Sequence, residues 1–303
     1  MLAESKVKIQ ALPRIVFGRG EAAKLSQHVA LTGRRSALIV TDRGLVEAGL
    51  IKAVTEGLSA AGIKTSVFAG VEPNPTDANV EAGAEVLRGL GDAAIVAVGG
   101  GSSMDAAKAI GLMGPNEGTV NDFGFGCKPK NEGAPLVAVP TTAGTGSETN
   151  MFAVITDRAQ HRKIYVGHPS IQPKVAVLDP DLTLGLPAYP TATCGFDVLT
   201  HAIEAYTSLI ANPYTDAVAL ETIRMAAKWL PVVFDDGRNI EARAQMLMAS
   251  CMAAIAFNVT GLGVCHGTGH PLSARLGSAH GQTLAAMLPH VMRFNRSVCG
   301  EKY

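Results

Sequence analysis

The chain has 303 residues, of which 47% are hydrophobic and 17% charged, and its formal net charge is zero. This length and composition predict a well-buried globular protein, with two domains favoured over one large core. A balanced charge without a sustained basic run argues against nucleic-acid binding, because that affinity comes mostly from clustered Lys and Arg.

The five cysteines, at positions 127, 194, 251, 265 and 299, include no CxxC pair. An odd number without paired spacing indicates neither a zinc knuckle nor a disulfide framework. A reducing, cytoplasmic setting fits best. The N-terminal MLAESKVKIQ lacks the apolar core of a signal peptide, and no uninterrupted apolar run reaches membrane-spanning length. We therefore expect a cytoplasmic protein with no membrane partner.

In the first part of the chain, short apolar runs alternate with amphipathic stretches. Residues 7–20 predict an extra strand pair, and runs bounded by Gly, Pro or Asp predict strands at 36–42, 64–70, 93–101, 135–142 and 174–180. Apolar residues at three-and-four spacing predict helices over 45–62 and 76–91. Because strands and helices alternate, we expect a parallel sheet with helices on both faces.

The second part of the chain shows only helical periodicity. The predicted helices lie at 191–210, 215–230 and 242–257, and the proline-rich segment 184–190 precedes them. This change of period predicts an α/β domain at residues 1–186 followed by an all-α domain at residues 187–303.

A run of three glycines lies where a predicted strand ends and a helix begins, in VGGGSSMDAAKAIGL (98–112). Gly99, Gly100 and Gly101 allow backbone N–H groups to approach a ligand. The following helix N-terminus, with Ser102, carries a partial positive charge that suits a phosphate. The spacing matches neither the P-loop nor the GxGxxG fingerprint. A plain strand-to-helix turn is therefore an equally open interpretation.

Other polar residues fall at the carboxyl ends of predicted strands, where open α/β sheets bind ligands. Asp42 can accept hydrogen bonds from an adenosine ribose and repel a 2′-phosphate, or it can simply cap a helix. The remaining positions of this kind are Asn74, Gly99–Ser103, Thr141 and Thr142, with Thr145 and Ser147 in the same glycine-containing loop. Their convergence is a stronger indication of a nucleotide site than any one of them.

A possible metal site lies in the C-terminal half, where one aspartate and four histidines cluster: Asp197, His201, His266, His270 and His280. Asp197 and His201 are four apart, as are His266 and His270, so on a helix each pair shares one face. Imidazoles with a carboxylate suit iron(II) or zinc, and three imidazoles plus one carboxylate leave an open position for a substrate. A helix-surface ion pair, or histidines satisfied within the core, is the alternative. Without an HExxH motif, peptide hydrolysis is disfavoured.

Several long segments together resemble the iron-containing alcohol dehydrogenase family over nearly the whole chain. They are GGGSSMDAAK, PNPT (73–76), PTTAGTGSE, GFDVLTHAIEAY with NPYTDAVAL, and HGTGHPL with AHG, in the family's order and spacing. The resemblance implies a dehydroquinate synthase-like fold. Its α/β N-terminal dinucleotide-binding domain has a parallel sheet and is followed by an all-α C-terminal metal-binding domain.

The resemblance also implies roles for individual residues. The metal ligands would be Asp197, His201, His266 and His280, with iron(II) typical and zinc possible. His270 would lie near the metal without binding it, as a candidate for proton transfer. Asp42 would favour NAD over NADP. The positions that contact the dinucleotide would be Gly99, Gly100, Gly101, Ser102, Thr141, Thr142, Thr145 and Lys163, to which the strand-end argument adds Asn74 and Ser147.

The implied reaction is hydride transfer between NAD(H) and a small primary alcohol or its aldehyde, in a homodimer. A zinc-dependent enzyme resembling glycerol dehydrogenase is the nearest alternative, but it typically uses one carboxylate and two histidines. A lyase resembling dehydroquinate synthase would need basic residues, and only Arg275 and Arg293 lie near the metal motifs. Family members continue well past Tyr303, so we expect a helical domain incomplete at its C-terminus, and a non-catalytic nucleotide-binding remnant is a further alternative.

Overall fold

The computed structural model describes residues 7–9, 11–160 and 162–303. Within this part of the chain, contacts divide the protein into two units. The α/β unit comprises Pro13–Thr141 and Ser147–Leu182. The helical unit comprises Thr142–Gly146 and Thr183–Tyr303, together with the described residues that precede Pro13.

The α/β unit is built on a parallel sheet. The strands of the whole unit are β1 (Arg14–Phe17), β2 (Ser36–Val40), β3 (Lys64–Phe68), β4 (Ala94–Gly99), β5 (Leu136–Pro140), β6 (Phe152–Asp157), β7 (Arg162–Gly167) and β8 (Val175–Leu178). Among the described residues, six strands form one sheet in the order β1-β8-β5-β4-β2-β3, and every pairing in it is parallel. The chain adds β3 on one side of β2 and then adds β4 and β5 on the other side, so the strand order reverses between β2 and β4.

Helices cover both faces of this sheet, as the alternating pattern predicts. They are α1 (Leu25–Ala30), α2 (Arg43–Glu47), α3 (Leu50–Ala60), α4 (Asp77–Leu90) and α5 (Gly101–Met113). Because successive side chains of a strand point to opposite faces, the central strands contribute to a separate apolar core on each face. On β2, Leu38 and Val40 belong to one core, which α4 and α5 complete, whereas Ala37 and Ile39 belong to the other.

The α/β unit departs from the sequence expectation in three places. Among the described residues of 7–20 only Arg14–Phe17 forms a strand, and Gln10 lies outside the described residues. The helix predicted over 45–62 is two helices, because Gly49 adopts a left-handed φ of 78° between α2 and α3. The antiparallel pair of β6 and β7 was not predicted.

The C-terminal part is helical throughout its long elements, as its periodicity predicts. The helices are α6 (Ala188–Tyr206), α7 (Pro213–Asp235), α8 (Ile240–Thr260), α9 (Val264–Leu276) and α10 (His280–Cys299). Residues Val198, Met225, Leu230 and Met246 form part of the core shared by α6, α7 and α8. Helix α8 is long and apolar enough to cross a membrane, but 61% of its apolar window is buried, as in the core helix of a soluble protein.

Candidate metal and cofactor sites

Helix α6 presents the first part of the candidate metal centre. Asp197 and His201 lie one turn apart on its buried face, and Nε2 of His201 is 3.4 Å from Oδ1 of Asp197. Both side chains are 6% exposed. The i, i+4 spacing thus produces the shared face that the sequence predicts, and that face points into the helical unit rather than to solvent.

Helices α9 and α10 bring further imidazoles to the same carboxylate oxygen. Nε2 of His266, in the first turn of α9, lies 3.3 Å from Oδ1 of Asp197. Nε2 of His280, the first residue of α10, lies 3.9 Å from the same atom. Residues from three helices therefore converge on one buried oxygen.

The donor set fits a divalent transition metal. Ligand atoms of Asp197, His201 and His266 all lie within 4.8 Å of one another, and all three residues are buried. Nδ1 of His201 is buried without a hydrogen-bond partner among the described residues. A carboxylate with several imidazole nitrogens is a donor set for iron(II) or zinc, and a buried polar cluster of this kind is costly without a partner.

The ionisation of the cluster follows from burial and mutual charge. Burial acts to raise the pKa of Asp197, but the surrounding imidazoles, His201 first, hold it well below its usual range. Burial also lowers the pKa of His201 to about 3, although Asp197 acts in the opposite direction. For His266, hydrogen bonds to Asp197 and Glu204 outweigh burial and raise the pKa to about 9. Asp197 and His201 are thus already in the ionisation states that metal binding requires.

His270 lies at the edge of this cluster. Its ring stacks on that of His280, with centroids 4.7 Å apart, and meets the ring of His266 edge-on at 5.6 Å. His270 is not part of the tight set of ligand atoms formed by the three buried residues, and it is only partly buried. Its role in proton transfer remains a prediction.

Glu204 is a buried member of the cluster that the sequence reasoning missed. Its Oε2 lies 2.5 Å from Nδ1 of His266. A signal was present, since Glu204 follows Asp197 by seven positions and His201 by three and therefore shares their helix face.

In the α/β unit, the glycine turn follows β4, beside the point between β2 and β4 where the strand order reverses. Gly99 ends β4, and Gly100 is the N-cap of α5 without a side-chain cap. Gly99 has a φ of 150°, and a Cβ there would collide with the side chain of Ser103. Ligands of open α/β sheets bind beyond the strand ends at such a reversal, so an uncapped helix N-terminus here suits a phosphate.

The neighbouring strand ends carry other predicted cofactor residues. Asp42 follows β2 and is the N-cap of α2, accepting a hydrogen bond from the Leu45 N–H at 3.1 Å. Asn74 has a left-handed φ of 57°. Nζ of Lys163 donates to Oδ1 of Asn74 at 3.0 Å and to Oγ1 of Thr156 at 2.9 Å. The structure therefore brings Asn74 and Lys163 together. It shows Asp42 as a helix cap, which was the alternative to ribose binding in the sequence analysis.

The loop after β5 is divided between the units. Thr141 accompanies the sheet, and its N–H donates to the Gly99 carbonyl at 2.9 Å. Thr142 and Thr145 belong to the helical unit and are partly buried. In that unit, a Cβ on Gly146 of the same loop would collide with Ala254 of α8.

Ser147 lies inside the α/β unit, in a polar network that the sequence did not predict. Its hydroxyl donates to Oδ1 of Asp105 at 2.7 Å and accepts from Nζ of Lys108 at 2.7 Å. The fully buried Lys108 also donates to Oδ1 of Asn150 at 2.6 Å and to the Phe152 carbonyl at 2.9 Å. The hydroxyl of Ser147 is thus committed to the protein itself, and its predicted contact with a dinucleotide remains a prediction.

A cavity of about 530 Å³ occurs at the opposite, amino edge of the sheet. It is lined by residues that precede the strands, including Arg34, Ala93, Pro135 and Lys174. Within the α/β unit, Asp42, the glycine turn and Thr141 lie at the carboxyl edge, so this cavity forms no part of the candidate site.

Two family profiles match the chain. Residues 13–180 match "Iron-containing alcohol dehydrogenase", and residues 191–303 match "Fe-containing alcohol dehydrogenase family, C-terminal". Together these profiles cover both the sheet and the helices that carry the histidine cluster.

Individual relatives show the same similarity over nearly the whole chain. Choline dehydrogenase of Bacillus subtilis is 41% identical over 100% of this chain and 77% of its own length. The NAD-dependent methanol dehydrogenase of Bacillus methanolicus is 40% identical over 96% of this chain and 76% of its own. The crystal structure of sulfoacetaldehyde reductase from Bifidobacterium kashiwanohense in complex with NAD+ superimposes with a TM-score of 0.91, at 31% identity, over 96% of this chain and 77% of that one.

Proposed function

The chain belongs to the iron-containing alcohol dehydrogenase family, and we propose that it transfers a hydride between NAD(H) and a small primary alcohol or its aldehyde. The observation that carries this proposal is the convergence of His201 and His266 on Oδ1 of Asp197. Choline, methanol and sulfoacetaldehyde, the compounds in the relatives' names, share a primary carbinol or aldehyde carbon. The polyol dehydrogenase and the non-catalytic remnant are not favoured by these relatives.

We propose Asp197, His201, His266 and His280 as the metal ligands. Iron(II) is the first expectation and zinc the second, because both accept imidazole and carboxylate donors. Bound there, the metal would supply Lewis acidity toward the oxygen of the substrate. His270, stacked on His280, is proposed to carry a proton between this site and solvent.

We propose that NAD binds at the carboxyl edge of the sheet in the α/β unit and supplies the hydride acceptor. The α5 N-terminus would hold the pyrophosphate, and Asp42 would accept hydrogen bonds from the ribose. The remaining contacts are proposed for Asn74, Gly99, Gly100, Gly101, Ser102, Thr141, Thr142, Thr145, Ser147 and Lys163. On this basis residues 1–186 would form a cofactor domain and residues 187–303 a metal domain.

Two further features are proposed for the protein as a whole. A homodimer is supported by the position of β1 at the edge of the sheet that the described residues form, since an edge strand offers unpaired backbone groups to a second chain. A cytoplasmic location is supported by the cysteines, which are odd in number and include no CxxC pair.

The test is an anaerobic purification followed by metal loading and an assay of NADH formation. The loaded protein, given NAD and a series of short primary alcohols, should form NADH, and His266→Ala should abolish that metal-dependent activity. NADH formation that survives intact in His266→Ala would overturn the assignment. Metal and NAD that bind without turnover of any short alcohol would favour a non-catalytic remnant instead.

A further inference from the structure

The side chain of Glu204 connects α6 to α9 within the helical unit. Glu204 is 5% exposed, and both of its carboxylate oxygens are engaged. Oε2 lies 2.5 Å from Nδ1 of His266, and Oε1 accepts a hydrogen bond from the backbone N–H of Cys265 at 2.7 Å. One carboxylate therefore contacts both the backbone of α9 and a side chain of its first turn.

By accepting the hydrogen bond from Cys265, the Glu204 carboxylate caps the N-terminus of α9, which has no side-chain cap of its own. Gly263 is the N-cap residue of α9 and provides no side-chain cap. The first N–H groups of a helix have no intrahelical partner, and a negative charge near them is favourable. A Cβ on Gly263 would come within 2.9 Å of Oε1 of Glu204, so glycine at this position leaves room for the carboxylate.

The contact with His266 determines which ring nitrogen is available to a ligand. An ionised carboxylate only accepts hydrogen bonds, so Nδ1 of His266 carries the proton that it donates to Glu204. In the neutral imidazole the lone pair is then on Nε2, the atom 3.3 Å from Oδ1 of Asp197. His201 has no comparable anchor, because its buried Nδ1 lacks a hydrogen-bond partner among the described residues.

We propose that Glu204 is a positioning residue of the metal centre, which fixes the tautomer and the ring orientation of His266 while it anchors the start of α9. Carboxylates that accept from the second nitrogen of a metal-binding histidine raise metal affinity, and their loss typically costs about 10–100-fold. This inference rests on the proposed metal site at Asp197.

The experiment measures metal affinity rather than activity. Metal-free wild-type protein, Glu204→Gln and Glu241→Gln are titrated with Co²⁺ and Zn²⁺ against a competing chelator. Glutamine keeps the shape of Glu204 but has one acceptor oxygen for two donors, so we expect affinity about 10–100-fold weaker than in the wild type. Glu241 is exposed at the start of α8, and its variant should match the wild type.

A second readout separates positioning from a purely structural effect. Nitrogen-resolved NMR of the metal-free proteins, recorded above the His266 pKa of about 9, should show the neutral His266 ring protonated on Nδ1 in the wild type and a mixture of tautomers in Glu204→Gln. Unchanged affinity, or reduced affinity with an unchanged tautomer, would overturn the proposal. The proposed metal site is tested separately by Asp197→Ala, since wild-type affinity in that variant would show that the metal binds elsewhere.

Discussion

The imidazole rings of His201 and His266 stack face to face, with centroids 4.5 Å apart and planes inclined by 11°. They come from different helices, and both direct Nε2 toward the same oxygen of Asp197. Two imidazolium rings in contact would repel each other, so the arrangement requires at least one neutral ring. A divalent cation binds neutral imidazoles, which meets this requirement, and it also balances the negative charge of Asp197.

We expect His201→Ala to abolish stable metal binding, because it removes one of the three buried donors that form the tight set. The loss should exceed the roughly 10–100-fold that follows removal of a supporting contact. Elemental analysis after dialysis gives the metal bound per chain. His290→Ala is the matched control, since His290 is exposed on α10, and it should retain its metal. Full occupancy in His201→Ala would contradict the ligand assignment.

The buried ammonium of Lys108 is predicted to be essential for the stability of the α/β unit. It donates to Ser147, Asn150 and Phe152, so Lys108→Met leaves two buried acceptors and one partly buried acceptor without this donor. We expect the free energy of unfolding to fall by about 3–5 kcal/mol. Urea unfolding measures this, and Lys52→Met, whose side chain is 79% exposed, should change stability by at most about 0.5 kcal/mol. Equal stabilities for the two variants would refute the prediction.

Local patterns predicted most of the sheet and the helices, because periodicity and glycine or proline boundaries act over a few residues. The same reasoning failed where a single residue decides the outcome. Nothing in the apolar spacing of 45–62 reports that Gly49 turns left-handed and divides the helix. The pair β6–β7 was missed although β6 begins with four apolar residues, because an apolar run does not show which strand it pairs with.

The candidate site was predictable only in part for the same reason. Spacing placed Asp197 and His201 on one helix face, but His266 follows Asp197 by 69 positions, and no local pattern states which helices meet. The family motifs supplied that association. Spacing also could not show that Glu204, on the face of Asp197, reaches across to α9.

Glu148 is predicted to make stability depend on pH. It is 2% exposed, its Oε1 lacks a hydrogen-bond partner among the described residues, and burial raises its pKa to about 7. Between the ordinary pKa of about 4.5 and about 7, the folded protein keeps a proton that the unfolded chain has released. The stability that Glu148 contributes is therefore fully present below about pH 4.5 and is lost as the pH rises through about 7.

Glu148→Gln removes this titration and should flatten the pH dependence by up to roughly 3 kcal/mol. Urea unfolding at about pH 5 and about pH 8 checks it. The exposed Glu117→Gln should keep the wild-type slope. A wild-type slope in Glu148→Gln would show that Glu148 is not the titrating group.

Asp42 has a capping role in the structure and a proposed cofactor role, and two substitutions separate them. Asparagine caps a helix as well as aspartate does but carries no charge to repel a 2′-phosphate. We expect Asp42→Asn to lower the kcat/KM preference for NAD over NADP by about tenfold, at unchanged stability. Asp42→Ala should lose the same preference and also about 1 kcal/mol of stability. If Asp42→Asn keeps the full preference for NAD, Asp42 does not select the cofactor.

Close contact between α6 and α10 is predicted to hold His280 near Asp197. Gly281 follows His280, and a Cβ there would collide with the backbone carbonyl of Thr193, which cannot rotate away as a side chain can. Gly281→Ala should therefore displace α10, cost about 1–3 kcal/mol and weaken metal binding. Gly267→Ala, next to His266 in α9, is the control, because its Cβ would meet no atom within 4 Å. Since alanine has a higher helix propensity than glycine, the control variant should be at least as stable as the wild type. Equal metal affinities in the two variants would show that the α6–α10 contact does not set the position of His280.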